Sequence, residues 1–154
     1  MIDTLEIAKN DLRQGWKTTS GAICACCQQT VKLYNRKLCS TAAVGLIRLV
    51  RLYNGDLQYH HVTELGQAGS GGEFARLEHW GLIHPMINNE SSKRCSGLWM
   101  PSLDGILFAY NKINVSSHLL IYNGKSYGLS EDKISIKQAL GNKFDYQELM
   151  GKLL

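Results

Sequence analysis

The order of predicted elements in the middle of the chain constrains the fold more than any other feature of the sequence. Apolar side chains at helical spacing predict one helix over residues 40–53 and a shorter one over residues 73–80. Two extended segments follow, residues 82–87 and 97–103, and the polar loop of residues 88–96 joins them. A helix, a turn, a second helix and a two-stranded ribbon in this order are typical of a winged helix-turn-helix core. The predicted fold class is therefore α+β.

The ends of these helices carry recognisable residues. Ser40 or Thr41 is expected to cap the first helix, and Asn54 followed by Gly55 is expected to stop it. Gly81 is expected to end the second helix. In a winged helix that reads DNA, this second helix would be the recognition element.

The flanks of the core add a helix at one end and a hairpin at the other. Residues 4–16 have the spacing of a helix, whereas residues 30–38 permit either a short strand or a turn of helix. Asn123 and Gly124, between two alternating segments, favour a tight β-hairpin. Two capping-box patterns predict short closing helices, Ser135 with Gln138 and Asp145 with Glu148. We predict one compact unit in three parts, namely the N-terminal helix and Cys-rich element (1–39), the winged-helix core (40–112) and the C-terminal hairpin and short helices (113–154).

Composition indicates a globular domain. The chain has 154 residues, of which 44% are hydrophobic and 19% are charged, and this balance is typical of a folded protein. Its longest apolar stretches fall short of the roughly 20 residues that a membrane-spanning helix needs. The N-terminus lacks the basic and then apolar pattern of a signal peptide. We therefore expect a cytoplasmic protein with no membrane partner.

The cysteines suggest a metal site. Three of the five cysteines crowd together as Cys24, Cys26 and Cys27, which is not the spread arrangement of a secreted disulfide framework. Cys24 and Cys27 have the spacing of a zinc knuckle, and His61 and His79 are candidates to complete four ligands. The alternative is that these cysteines are small buried apolar residues.

Residues 24–38, which read CACCQQTVKLYNRKL, resemble a Cys-Pro-x-Cys-Gly-Gln-x-Val-Lys-Leu-Tyr-x-Arg-x-Leu block found in a family of uncharacterised bacteriophage and bacterial proteins. Further blocks extend the resemblance over most of the chain, at residues 59–62, 72–77, 79–83, 135–141 and 143–146. The resemblance implies a small winged-helix protein with a zinc-knuckle-like element. Here Ala25 replaces the usual Pro, and Gln28 replaces a Gly that would free the backbone to wrap a metal.

Positive charge is concentrated in one segment. Residues 12–55 contain no Asp or Glu but seven Lys and Arg residues, and the whole chain has a net charge of +4. Such a segment attracts phosphate or an acidic protein surface, unless other parts of the fold supply counter-charges. The candidate nucleic-acid-binding residues are Lys32, Arg36, Lys37, Arg48, Arg51, Arg76 and the wing residues Lys93 and Arg94.

These features predict two functions of different kinds. The first is a non-catalytic, DNA-binding winged-helix protein of phage or prophage origin, which would act in the host cytoplasm. The second is a phage-encoded interaction module that binds and inhibits or redirects a host polymerase, nuclease or immune complex. The serines and carboxylates form no recognisable catalytic set, so we do not expect an enzyme.

Overall fold

The computed structural model describes residues 4–16, 21–70, 72–87, 97–122 and 125–151, and it has the mixed α and β composition that the sequence predicts. Its α-helices are α1 (Thr4–Gly15), α2 (Ser40–Asp56), α3 (Leu103–Ala109), α4 (Ile136–Leu140) and α5 (Tyr146–Met150). Two 3₁₀ helices span Val62–Gly69 and Ala75–Trp80. The strands are β1 (Ala22–Ile23), β2 (Thr30–Val31), β3 (Tyr34–Lys37), β4 (His60–His61), β5 (Ile83–Pro85), β6 (Leu98–Pro101), β7 (Val115–Ser116), β8 (His118–Tyr122), β9 (Lys125–Leu129) and β10 (Lys133–Ile134).

The chain packs as two units. The first comprises Met1–Arg36 and Leu120–Gly128, and the second comprises Lys37–Leu119 and Leu129–Leu154. These bounds differ from the sequence-based partition at residues 39 and 112, because the first unit takes a segment from the C-terminal hairpin.

The first unit is organised around Trp16, which follows the predicted helix α1. The Trp16 ring lies 5.9 Å from the ring of Tyr122 and 4.8 Å from that of Tyr127, measured between centroids. The Trp16 carbonyl accepts a hydrogen bond from the Leu33 amide at 2.8 Å. One of these contacts is tilted and the other is edge-on, and aromatic pairs in such geometries contribute to stability beyond their buried area. The sequence of residues 30–38 is compatible with either a short strand or a turn of helix. In the structure this segment contains the strands β2 and β3.

Helix α2 is the centre of the second unit. Eight of its residues are buried, so tertiary packing and not capping determines where it forms. The prediction that Ser40 or Thr41 caps it is wrong, because Cys39 occupies the N-cap without a side-chain hydrogen bond. The helix also passes through Asn54 and Gly55, which were expected to stop it, and ends at Asp56. Its C-cap residue, Leu57, has a left-handed backbone, and the Leu57 amide donates to the Tyr53 carbonyl.

A three-stranded antiparallel sheet packs against α2 and has the order β4-β6-β5. His60 pairs with Trp99 across β4 and β6, and Pro85 pairs with Trp99 from the other side. The two antiparallel strands that the sequence predicts within residues 82–87 and 97–103 are thus confirmed. Its connecting loop, with Lys93 and Arg94, lies outside the described residues.

The segment predicted as the recognition helix is shorter than expected. It is a 3₁₀ helix of six residues that begins at Ala75, not at residue 73. Phe74, its N-cap, is buried and packs edge-on against Trp99 with the centroids 6.0 Å apart, which fixes the entry to this helix. Gly81 ends the helix with a φ of 71°, as the sequence predicts.

The C-terminal elements largely follow the sequence. β8 lies between β3 and β9, so the predicted hairpin strands are confirmed, although Asn123 and Gly124 lie outside the described residues. Ser135 and Gln138 form the predicted capping box of α4. Asp145 caps α5 by accepting from the amides of Gln147 and Glu148.

Candidate nucleic-acid interface

Two arginines lie on the exposed side of α2. Arg48 and Arg51 are three residues apart and therefore share one face of the helix, while Ile47, Leu49 and Val50 beside them are buried. The alternation of arginine with aliphatic residues in the sequence thus places the cations outward and the apolar side chains in the core.

Both guanidinium groups are held in place by backbone carbonyls. Nη1 of Arg48 donates to the Leu65 carbonyl at 2.8 Å, and Nη1 of Arg51 donates to the Leu149 carbonyl at 2.9 Å. A guanidinium carries five N–H donors, so an arginine that holds one carbonyl can still bind a phosphate oxygen. These contacts therefore orient the two guanidinium groups and leave further N–H donors that can bind an anion.

Arg48 and Arg51 line one cavity of about 350 Å³ together with Leu52 and Glu64. The two positive groups favour an anion there, but the Glu64 carboxylate at the same wall opposes one. The arrangement suits an extended phosphate backbone passing over the two arginines better than a small anion enclosed beside Glu64.

Glu64 belongs to a histidine clasp that the sequence analysis missed. The His60 side chain lies between two carboxylates, with Nε2 2.9 Å from Oδ1 of Asp56 and Nδ1 3.1 Å from Oε2 of Glu64. Glu64 also accepts from the His61 amide at 2.8 Å. The spacing of an acid four residues before and four residues after His60 was the available signal.

The clasp shifts the protonation equilibria of its members in opposite directions. Burial disfavours the charged imidazole, but the hydrogen bonds to Asp56 and Glu64 outweigh it and raise the pKa of His60. The hydrogen bond to His60 lowers the pKa of Asp56 and that of Glu64. The clasp therefore stabilises the protonated form of His60 and the ionised forms of Asp56 and Glu64, the last of which lies beside the arginines.

Arg76 is half-buried and paired within its own segment. Its Nη1 atom donates to Oε1 of Glu73 in a salt bridge. The exposed residues of this 3₁₀ helix are Ala75, Glu78 and His79. The sequence predicts that Arg76 binds DNA. Because Arg76 is paired with Glu73, the segment presents less positive charge than that prediction requires.

The remaining candidate cations are distributed over the two units. Lys37 lines a cavity of about 390 Å³ that Lys143 also lines, and the sequence analysis did not single out Lys143. Lys32 and Arg36 belong to the first unit, and the Lys32 ammonium lies 5.8 Å from the centroid of the Tyr34 ring.

The cysteine cluster forms a tight turn between β1 and β2. The Gln28 amide donates to the Cys24 carbonyl at 2.8 Å, and the Cys24 amide donates to the Gln29 carbonyl at 2.9 Å. Hydrogen bonds from the amides of Cys27 and Cys26 lower the pKa of the Cys24 thiol. Cys26 and Cys27 are exposed, so these two are not the buried apolar residues of the alternative interpretation.

The two predicted pairs of metal ligands lie in different units, with Cys24 and Cys27 in the first and His61 and His79 in the second. Nδ1 of His61 lies 2.9 Å from the Thr63 hydroxyl and accepts from the Thr63 amide. Among the described residues, no three His, Cys, Asp or Glu side chains are grouped so that they could hold one metal ion.

Comparison with protein-family models, with curated proteins and with solved structures found no match to this chain. In the part of the chain that the structure covers, no helix combines the length and the apolar content needed to span a bilayer.

Proposed function

We propose that this chain is a non-catalytic, DNA-binding winged-helix protein of phage or prophage origin. The observation that carries the proposal is the sheet order β4-β6-β5. In a winged helix, the strand after the first helix pairs with the last strand of the ribbon, and two helical segments lie between the first and second strands. Here α2 precedes β4, and the two 3₁₀ helices lie between β4 and β5.

The wing would be the loop between β5 and β6, residues 88–96. In the sequence this loop carries Lys93 and Arg94. Such cations can bind phosphate on either side of a groove. Phage or prophage origin is proposed on the sequence blocks that resemble the bacteriophage and bacterial family.

The charges favour a mode of DNA binding that is dominated by the phosphate backbone. Arg48 and Arg51 are exposed and oriented, whereas Arg76 is paired with Glu73. Glu78, exposed on the same short helix, is repelled by phosphates. We therefore expect binding that depends strongly on salt and discriminates weakly between base sequences.

The same short helix supports a second candidate function, a protein-interaction module. Its Arg76–Glu73 pair and exposed Glu78 suit a protein partner better than a major groove. Ile87, at the base of the proposed wing, is 88% exposed and would be covered in such a complex. The partner in this case would be a host polymerase, nuclease or immune complex.

Two experiments separate the candidates. A mobility shift of duplex DNA at low salt, reversed by added salt, supports DNA binding, and no shift at low salt contradicts it. Affinity capture from host lysate after nuclease treatment tests the alternative. Substitution of Ile87 by Asp should abolish that capture while leaving the DNA shift intact if the partner is a protein.

A further inference from the structure

We propose that a groove beside α2 binds one unpaired nucleotide of a nucleic-acid strand, with its base on the Phe144 ring and its phosphate on Arg48. This inference deepens the proposed function, and it rests on that function only in assigning phosphate to Arg48. It adds an unpaired strand as a partner of the same face of α2.

The groove is a cavity of about 340 Å³ within the second unit. Small-molecule sites in proteins have volumes of about 300–1,000 Å³, so the groove has the size of a site for one small group such as a base. Its lining combines one cation, two side chains that form hydrogen bonds, two aliphatic side chains and one aromatic ring, which are Arg48, Thr41, Gln67, Val44, Ala68 and Phe144.

Arg48 links this groove to the cavity described above, because it lines both. Thr41, Val44, Arg48 and Arg51 follow one another at spacings of three and four residues, so they share one face of α2. At about 1.5 Å per residue, this row covers about 15 Å of the helix. A stacked strand advances about 3.4 Å per phosphate, so several consecutive phosphates fit along the row. A strand that crosses Arg51 and Arg48 can therefore place a neighbouring base in the groove.

A glycine gives the Arg48 guanidinium room beside the groove. Gly66 interrupts the 3₁₀ helix Val62–Gly69 with a φ of 66° and a ψ of −145°, a conformation that favours Gly. A Cβ at Gly66 would lie 3.3 Å from Nη1 of Arg48, the atom that donates to the Leu65 carbonyl. Gln67, directly after this kink, lines the groove, and its amide can donate to a base and accept from it.

The Phe144 ring makes the groove suited to a base. Phe144 is 38% exposed, whereas the other two phenylalanines of the chain, Phe74 and Phe108, are buried. Proteins bind unpaired strands with cations for the backbone and aromatic rings for the bases, and this stacking tolerates any sequence because every base has a π face. In a duplex the neighbouring pairs cover both faces of a base. The ring therefore favours an unpaired strand.

Acidic residues near the groove do not oppose this assignment. The six lining residues that the structure describes include one cation and no acid. Asp145 follows Phe144, but its Oδ1 atom accepts from the amides of Gln147 and Glu148 at 2.9 and 3.3 Å. Glu64 lines the neighbouring cavity, where its carboxylate contacts His60.

The binding test uses the full chain and two labelled probes, an oligothymidylate of about ten nucleotides and a duplex of the same length. Fluorescence anisotropy at low salt should show binding of the single strand. Phe144→Leu keeps an apolar side chain but removes the ring, so it should weaken single-strand binding about 5- to 100-fold. It should leave duplex binding unchanged, and Phe144→Trp should retain single-strand binding. An oligouridylate of the same length distinguishes RNA from DNA as the source of the strand, and its binding should depend on Phe144 in the same way.

A photochemical cross-link locates the base on the unmodified chain, so it decides the question even if Phe144→Leu is unstable. One thymine of the oligothymidylate is replaced by 5-iodouracil, which joins under ultraviolet light to an aromatic ring on which it stacks. Mass spectrometry should place the cross-link at Phe144. Tyr34, an aromatic side chain that is 63% exposed and outside the groove, provides the comparison within the same sample.

Four results would overturn the inference. They are no single-strand binding at low salt, full single-strand affinity in Phe144→Leu, an equal loss of duplex affinity in folded Phe144→Leu, and a cross-link at Tyr34 or another residue in place of Phe144. If the chain binds the single strand through Phe144 but does not bind the duplex, the winged-helix proposal fails and this inference stands. If it binds the duplex alone, the reverse holds.

Discussion

The Nε2 atom of His60 lies 2.9 Å from Oδ1 of Asp56, the last residue of α2. The same ring contacts Glu64 of the first 3₁₀ helix at 3.1 Å on its other side. His60 is only 8% exposed, so its ion pairs are screened less than those of a surface histidine. The clasp therefore links α2, β4 and the first 3₁₀ helix through side-chain contacts. The proposed winged-helix core depends on the arrangement of these three elements.

The clasp predicts how stability depends on pH. The pKa of His60 is raised above its ordinary value of 6.5, so its contribution is fully present below pH 6.5 and is lost as the pH rises through the raised pKa. The lowered pKa values of Asp56 and Glu64, ordinarily 3.8 and 4.5, make their contributions present above these values and lost as the pH falls. Urea unfolding across the pH range should show the clasp at its most stabilising between pH 4.5 and 6.5.

His60→Asn should remove the alkaline part of this dependence, because Asn cannot become protonated. His84→Asn, which changes an exposed histidine of β5, should leave it unchanged. If the wild-type chain and His60→Asn lose stability in parallel above pH 6.5, the clasp is not the source of the dependence.

Gly45 is required by the packing of α2. A Cβ at this position would lie 2.8 Å from Cδ2 of Phe74 and 3.1 Å from the Ala68 carbonyl oxygen. We expect Gly45→Ala to lower the free energy of unfolding by about 1–3 kcal/mol, although Ala is the better helix former. Gly55→Ala is the control, because it lies in the same helix with no atom within 4 Å of its Cβ. It should raise stability by up to about 1 kcal/mol, and equal effects of the two substitutions in urea unfolding would refute the packing argument.

Gln28 is strained in the cysteine turn because its φ is 62°. Gln28→Gly should stabilise the turn by about 0.5–1 kcal/mol, since Gly adopts this conformation without a steric penalty. Gln29→Gly, at the next position where φ is not positive, should instead destabilise it. Hydrogen exchange of the Cys24 and Gln28 amides measures both changes, and faster exchange in Gln28→Gly would contradict the prediction.

The Tyr146 hydroxyl donates to the Ala109 carbonyl at 2.6 Å in a buried bond that joins α5 to α3. Tyr146→Phe leaves that carbonyl without this donor and should cost about 1–2 kcal/mol of unfolding free energy. Tyr34→Phe is the control, because the Tyr34 side chain is 63% exposed. Thermal unfolding should separate the two variants, and no difference between them would show that the buried bond contributes little.

Local signals in the sequence predicted much of the local structure, although they misplaced both ends of α2. The Ser135–Gln138 capping box and the strands β8 and β9 follow from residues only a few positions apart. The pairing of β4 with β6 joins His60 to Trp99 and His61 to Leu98, which are 39 and 37 positions apart in the chain. No local sequence pattern specifies a pairing over such a distance.

The candidate site was harder to predict for the same reason. Alternation along α2 correctly indicated that Arg48 and Arg51 are exposed. Their carbonyl partners, however, lie 17 and 98 residues away, and such distances are beyond any periodicity argument. The short segment after Phe74 carries an apolar pattern that an α-helix and a 3₁₀ helix share, so the pattern overestimated its length.

The central claim, DNA binding through the phosphate backbone, is tested most directly by the salt dependence of affinity. Fluorescence anisotropy with a labelled duplex should give a dissociation constant that rises steeply with salt concentration. Arg48→Gln with Arg51→Gln keeps a donor for each carbonyl but removes two charges, so it should lower the log–log slope by about 2. Lys112→Ala, an exposed cation after α3, is the control and should leave the slope unchanged. An equal slope in the double variant, or no binding at low salt, would contradict the claim.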